Sequence, residues 1–243
     1  MIFAALLLAA AAPAHAAEAE RAFAAMAQRS GQWSAFRAFA APDAIMMAPE
    51  KVNAQAFLAP LKDPPRAVMW WPARAITSCD GTLAISTGPW VREGGKATGT
   101  FTTVWRRQPD GGWKWLFDHG RDTPHAVSAG DQVTVRQPQC DPVATTPPLV
   151  VESPESASVP LSRLLRGAAP DVLVQVDGRM PTDRPDFDMM LRPGAAIAQG
   201  LSDDRSLFWT LEALEGAAKG AHLFQVFQGG KLVLIEVSGV PAS

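Results

Sequence analysis

The chain has 243 residues, 47% of them hydrophobic and 19% charged, with a net charge of −2. These proportions suit a globular protein and exclude a disordered or collagen-like chain, and so small a net charge gives no field drawing it to nucleic acid or anionic lipid. Two cysteines are too few for a disulfide-stapled miniprotein or a cysteine-only zinc site, and eight Trp stand beside no Tyr at all.

Residues 1–16 read as an export signal. Ile2 to Ala12 is an apolar run, Pro13 breaks it, and Ala14-His15-Ala16 offers the small residues of a cleavage site after Ala16. No Lys or Arg precedes the run. It is shorter than the ~20 residues that span a bilayer, and no later segment is long and apolar enough for a membrane helix. The expectation is an exported protein, periplasmic or secreted, without stable membrane insertion.

Residues 17–137 form the first expected domain. Glu18 to Ala41 reads as helical, with Phe23, Met26 and Ala27 on one face and Trp33, Phe36 and Phe39 on another; Ser30-Gly31 interrupts it. A short strand at Ala44–Met47 and a helix capped by Asn53 and running to Leu61 follow. Four strands are expected at Arg66–Thr77, Thr82–Arg92, Ala97–Gln108 and Gly112–Gly120, divided by glycine-containing turns. Helices followed by an antiparallel meander make an α+β pattern.

Residues 138–160 hold six prolines and read as a linker. Residues 161–243 form a smaller, mostly β C-terminal region, with strands at Val172–Val176, Ser206–Leu214, Ala221–Gln228 and Lys231–Ser238. Residues 18–137 carry 14 Lys/Arg against 11 Asp/Glu, while residues 138–243 carry 8 against 13, so complementary charge would help the halves dock. There is also an internal echo: Ser78-Cys79-Asp80-Gly81-Thr82-Leu83 and Ser202-Asp203-Asp204-Arg205-Ser206-Leu207 open the same order of strands and turns. The C-terminal region is thus either a truncated second copy or another meander.

Thr98 to Trp115 includes Val104-Trp105-Arg106-Arg107, a hairpin at Asp110-Gly111-Gly112, and Trp113-Lys114-Trp115, with Asp118-His119 just beyond. This resembles the last two strands of the nuclear transport factor 2-like superfamily, and more narrowly its SnoaL-like members of unknown function, over residues 18–120. The resemblance implies a cone: a curved antiparallel sheet wrapped around N-terminal helices, with an apolar pocket at the open end. Isomerases, dehydratases, hydrolases and non-catalytic proteins share that fold, so it does not fix a function. The resemblance to ketosteroid isomerase and scytalone dehydratase implies phenolic hydroxyls that polarise the substrate, and a chain without Tyr lacks them.

Strict strand alternation sends Trp113, Trp115, Phe117 and His119 to one face and Lys114, Leu116 and Asp118 to the other. On that reading His119 points inward as a general base or a ligand-orienting group, or else bonds to backbone at the strand end; Asp118 is exposed or paired with Arg. Trp70, Trp105, Trp115 and His119 are the expected ligand-binding residues. Of the adjacent Trp70 and Trp71, which alternate across the strand, one lines the pocket and the other covers the outer face of the sheet or a homodimer contact, or else both are plain core residues. No metal-ligand spacing, nucleophile motif or phosphate loop is present, and no cofactor is expected. Export and the count of two lead to the expectation of a Cys79–Cys140 disulfide, the alternative being two unpaired thiols, one buried and one in the linker. The functional expectation is a non-catalytic envelope protein that binds a small apolar molecule or serves as an assembly module. The alternatives are an isomerase or lyase using His119 or a pocket carboxylate, and a structural domain with a filled core.

Overall fold

The computed structural model describes residues 15–138, 140 and 157–240. The apolar run read as an export signal and most of the proline-rich stretch read as a linker lie outside these residues.

Two helices open the fold, α1 (Ala16–Ser30) and α2 (Gln32–Phe39). Gly31 parts them with φ 105°, a conformation glycine adopts without strain. The start of α2 is capped from a distance, because the Asp63 carboxylate accepts bonds from the Ser34 amide (3.0 Å) and hydroxyl (2.6 Å). α1 buries the stripe Ala16, Ala19, Phe23 and Ala27, and Glu20 lies within it. After β1 (Ala40–Met47) and β2 (Lys51–Asn53), Asn53 caps α3 (Ala54–Leu58) by accepting the Ala56 amide at 3.0 Å. This helix ends three residues before the expected Leu61.

The expected strand Arg66–Thr77 is two strands, β3 (Met69–Trp70) and β4 (Arg74–Thr77), because Pro72 has no N–H to give the ladder. Both pair with β5 (Leu83–Arg92). Gly88 in β5 is obligatory, since a Cβ there would lie 2.0 Å from the Trp71 carbonyl oxygen. The long strands β6 (Ala97–Arg107) and β7 (Trp113–Asp122) and the short β8 (Thr134–Arg136) complete an eight-stranded sheet. Its order is β2-β1-β7-β6-β5-β4-β8, with β1 and β7 parallel and β4 and β8 parallel.

Beyond the linker, β9 (Val159–Pro160) leads into a single-turn helix, α4 (Leu161–Leu164), and β9 pairs with β11 (Met190–Leu191). A second sheet has the order β10-β15-β14-β13-β12. Its strands are β10 (Leu173–Val176), β12 (Pro193–Leu201), β13 (Leu207–Leu214), β14 (His222–Gln228) and β15 (Lys231–Ser238). β12 was not expected: Pro193-Gly194-Ala195-Ala196 carries none of the β-branched residues that mark a strand.

Three apolar clusters divide the molecule. One lies between α1–α3 and the first sheet and includes Phe23, Leu58, Trp105 and Trp115. The second lies between the two sheets and joins Ile85, Val104 and Phe117 to Trp209, Phe224 and Val226. The third fills the far face of the second sheet, where Leu161, Val174, Leu191 and Ile235 meet. Sheet rather than helix dominates, and the fold class is α+β.

The halves are also joined by charge. Arg74 and Arg136 pair with Asp171, and Arg121 with Glu236 and Asp177, each an N-terminal cation on a C-terminal carboxylate; Lys219 and Glu50 reverse the direction. Cys79 and Cys140 form a disulfide with Cα atoms 5.6 Å apart.

Candidate functional site

A cavity of about 320 Å³ lies between the helices and the first sheet. Its walls are mostly apolar, formed by Trp33, Phe36, Met46, Val68, Trp70, Trp90 and Phe101, and Gln32, Arg92, Asp118 and His119 are its polar lining.

A β-bulge puts Asp118 there. β6 and β7 pair Val104 with Phe117 but Trp105 with Trp115, so Leu116 is an extra residue on β7. Alternation resets across the bulge. Trp113 and Trp115 join the helix-side cluster, whereas Phe117 joins the cluster between the sheets. The expected single face of Trp113, Trp115, Phe117 and His119 is therefore corrected: the first two stay with the helices, and Phe117 and His119 turn toward the second sheet. Asp118 moves the other way, into the cavity.

Asp118 accepts a hydrogen bond from the Thr103 hydroxyl at 2.8 Å. Enclosure by protein pushes its pKa up to about 8, with the neighbouring Glu20 charge as the second cause and the Thr103 bond opposing. Glu20, fully buried on α1, accepts from the indole N–H of Trp70 (2.7 Å), the indole N–H of Trp105 (2.8 Å) and the Ser86 hydroxyl. Burial raises its pKa, and those hydrogen bonds partly offset the rise. Two interacting carboxyls thus lie close together, Glu20 sealed under the indoles and Asp118 half-buried at the cavity.

His119 also lines the cavity, but one of its ring nitrogens is engaged elsewhere. Its Nε2 lies 3.0 Å from the Ser238 hydroxyl of β15, and its ring stacks on Phe117 and stands 4.6 Å from that of His222. Burial, then the charge of Arg121 and the nearby His222, hold its pKa well below the usual histidine value. Of the other expected ligand-binding residues, Trp70 lines the cavity, while Trp105 and Trp115 are wholly buried in the helix-side cluster. The Trp115 indole donates to the Phe36 carbonyl at 3.2 Å. Trp71 is 46% exposed. Among the described residues, no group of three or more His, Cys, Asp or Glu is placed to hold a metal ion.

Sequence reasoning missed Glu20, although it left a signal: a carboxylate on the buried stripe of α1, one residue after Ala19 and three before Phe23, needs partners there.

The solved structures to which this chain is similar include nuclear transport factor 2-like proteins. One is a ketosteroid isomerase-like protein of Parabacteroides distasonis, 18% identical, covering 43% of this chain and 85% of its own, with a TM-score of 0.35. A second, of unknown function, comes from Shewanella oneidensis (18% identical, 41% and 91% covered, TM-score 0.34). A third is a nuclear transport factor 2-like superfamily protein of Salmonella enterica (16% identical, 48% and 94% covered, TM-score 0.32). No family model matches the sequence, and no curated protein matches it significantly.

Proposed function

We propose that the protein binds one small, mostly apolar, uncharged molecule in the helix-side cavity and holds a carbonyl or hydroxyl of that molecule on the Asp118 carboxyl. The curved sheet and three helices are read as a cone and the cavity as its open end. The observation that carries the proposal is a single carboxyl residue, Asp118, in a lining made mostly of Trp, Phe, Met and Val, with Gln32, Arg92 and His119 as its other polar members. The volume of about 320 Å³ is roughly that of ten water molecules at ~30 Å³ each and falls at the small end of ligand pockets. With a pKa of about 8, Asp118 is protonated at neutral pH and offers a donor instead of a charge.

Binding is tested by quenching of tryptophan fluorescence with 2-acetylnaphthalene, which carries a carbonyl, against 2-ethylnaphthalene, which does not. The ketone should bind several-fold more tightly at pH 7, the range expected for one hydrogen bond, and that preference should fade above pH 8. Asp118→Asn should keep the preference and lose its pH dependence, and Asp118→Val should abolish it. Absence of saturable quenching, or equal affinity for both probes at every pH, would overturn the reading.

The coupled carboxyls favour a second reading, an isomerase or lyase in which Asp118 moves a proton beside a carbonyl. An ionised base is needed for that step, and at neutral pH Asp118 is mostly protonated, so binding is preferred. Exchange of the methyl-ketone protons of 2-acetylnaphthalene in D2O, lost in Asp118→Asn, would reverse the choice.

We also place the protein outside the cytoplasm. The apolar run Ile2–Ala12 with Ala14-His15-Ala16 and the Cys79–Cys140 bridge support this. N-terminal sequencing of the native protein should begin at Ala17; an intact Met1 in a cytosolic fraction would overturn it.

A further inference from the structure

We propose that residues 157–240 are a second, reduced copy of the N-terminal unit, and that this copy occupies, within one chain, the face through which one unit would otherwise meet another. The partner of the first sheet is then a copy of itself, supplied in cis.

Topology comes first. The strand order β1-β7-β6-β5-β4 recurs as β10-β15-β14-β13-β12, and β1 with β7 and β10 with β15 are the parallel pairs at corresponding places. Registers repeat as well. Ile76 faces Ile85 and Thr77 faces Ala84, just as Gly200 faces Trp209 and Leu201 faces Phe208, each counted from the serine that opens the next turn. The bulge that redirects Asp118 falls between Val104 and Trp105; its counterpart in the second sheet falls between Val226 and Phe227, one strand after the corresponding turn. A bulge is a local irregularity, and meeting it twice at one topological position is not a general property of meanders.

The turns are alike atom for atom. In the first, the Ser78 amide bonds to the Leu83 carbonyl and the Ser78 hydroxyl to Asp80; in the second, the Ser202 amide bonds to the Leu207 carbonyl and the Ser202 hydroxyl to Asp204. Gly81 has φ 67° and Arg205, in the matching position, φ 62°. The second turn thus holds the left-handed conformation with a residue that adopts it rarely.

The two turns also bind each other reciprocally. The Asp80 amide donates to the Asp204 carboxylate at 2.8 Å, and the Asp204 amide donates to the Asp80 carboxylate at 2.8 Å. Behind them, matching positions enter one apolar cluster: Leu83 with Leu207, Val104 with Val226, and Phe117 with Leu234. A contact in which the same surface meets itself is what a two-fold axis produces in a homodimer.

The second copy differs where the first has its cavity. Its counterpart to Asp118 is Ile235, fully buried, and Leu164, Leu165, Phe187 and Met189 pack where the first copy has its long helices.

The test uses the intact chain and a nicked form. Light scattering on the full protein from 1 to 100 μM should give the mass of one chain; a dimer overturns the proposal. With a protease site inserted between residues 141 and 156 and cleaved, the two fragments should migrate together at one-to-one stoichiometry, and their separation in native buffer overturns it. Asp80→Ala and Asp204→Ala should lower the melting temperature by equal amounts. A large loss from one beside no loss from the other would show that the turns are not related by a two-fold axis and would overturn the duplication.

Discussion

Replacing Arg121 by Met tests what holds the two sheets together. Arg121 is 3% exposed and Glu236 0%. The guanidinium donates to both Glu236 oxygens, at 2.8 and 2.5 Å, and also to Gln175. Arg121→Met leaves the aliphatic volume largely filled, so little of the loss is cavity. It leaves Glu236 with the Thr102 hydroxyl as its remaining donor, a carboxylate sealed from water and deprived of its counter-charge. Losing one partner of a buried ion pair costs about 3–5 kcal/mol. For a chain of this size each kcal/mol shifts the melting temperature by roughly 2–4 °C, so a fall of about 6–20 °C is expected. Arg106–Asp43 is the control, bidentate at 2.7 and 3.0 Å but with side chains 41% and 61% exposed. Arg106→Met should cost about 0–1 kcal/mol. The double variant Arg121→Met/Glu236→Leu should recover most of the loss, because no charge is then left buried. Unfolding in urea, followed by tryptophan fluorescence, measures all four proteins. A loss below about 1 kcal/mol for Arg121→Met, or a double variant as unstable as two independent losses, would refute the desolvation argument.

Three further outcomes follow from the same structure. Asp118 binds its proton more tightly folded than unfolded, so between roughly pH 4 and pH 8 the native state holds the extra proton and stability falls as pH rises; Asp118→Asn should flatten that slope in urea unfolding measured at intervals across the range. Gly99→Ala would place a Cβ 1.9 Å from the Arg121 carbonyl oxygen and 2.4 Å from the Trp90 ring, so it should cost about 1–3 kcal/mol by overpacking and quench or shift the fluorescence of the cavity wall. Reducing the Cys79–Cys140 bridge, or replacing both cysteines by Ser, should cost up to about 4 kcal/mol by freeing a loop of 61 residues, read as a lower melting temperature with and without reductant.

Local chemistry and periodicity sufficed for much of the fold. Gly31 dividing α1 from α2, the Asn53 cap and the glycine-bearing turns before β6 and β7 depend on neighbours within a few residues, so the linear pattern carries them. The pairing of Cys79 with Cys140 was legible for a different reason: with two cysteines in the chain there is one bridge to make. The two halves' opposite charges likewise agree with the direction of most ion pairs between them. What the sequence alone did not determine is the face each side chain of β7 takes. Alternation has a period of two, and one extra residue at Leu116 inverts everything after it, so Asp118 and His119 exchange sides. Nothing local marks that bulge; it is set by how β6 and β7 register against each other. Glu20 and Asp118 lie 98 positions apart in the numbering and belong to one site because α1 packs on that sheet. The long-range packing of a helix on a strand therefore decided where the carboxyls sit and how tightly they hold their protons.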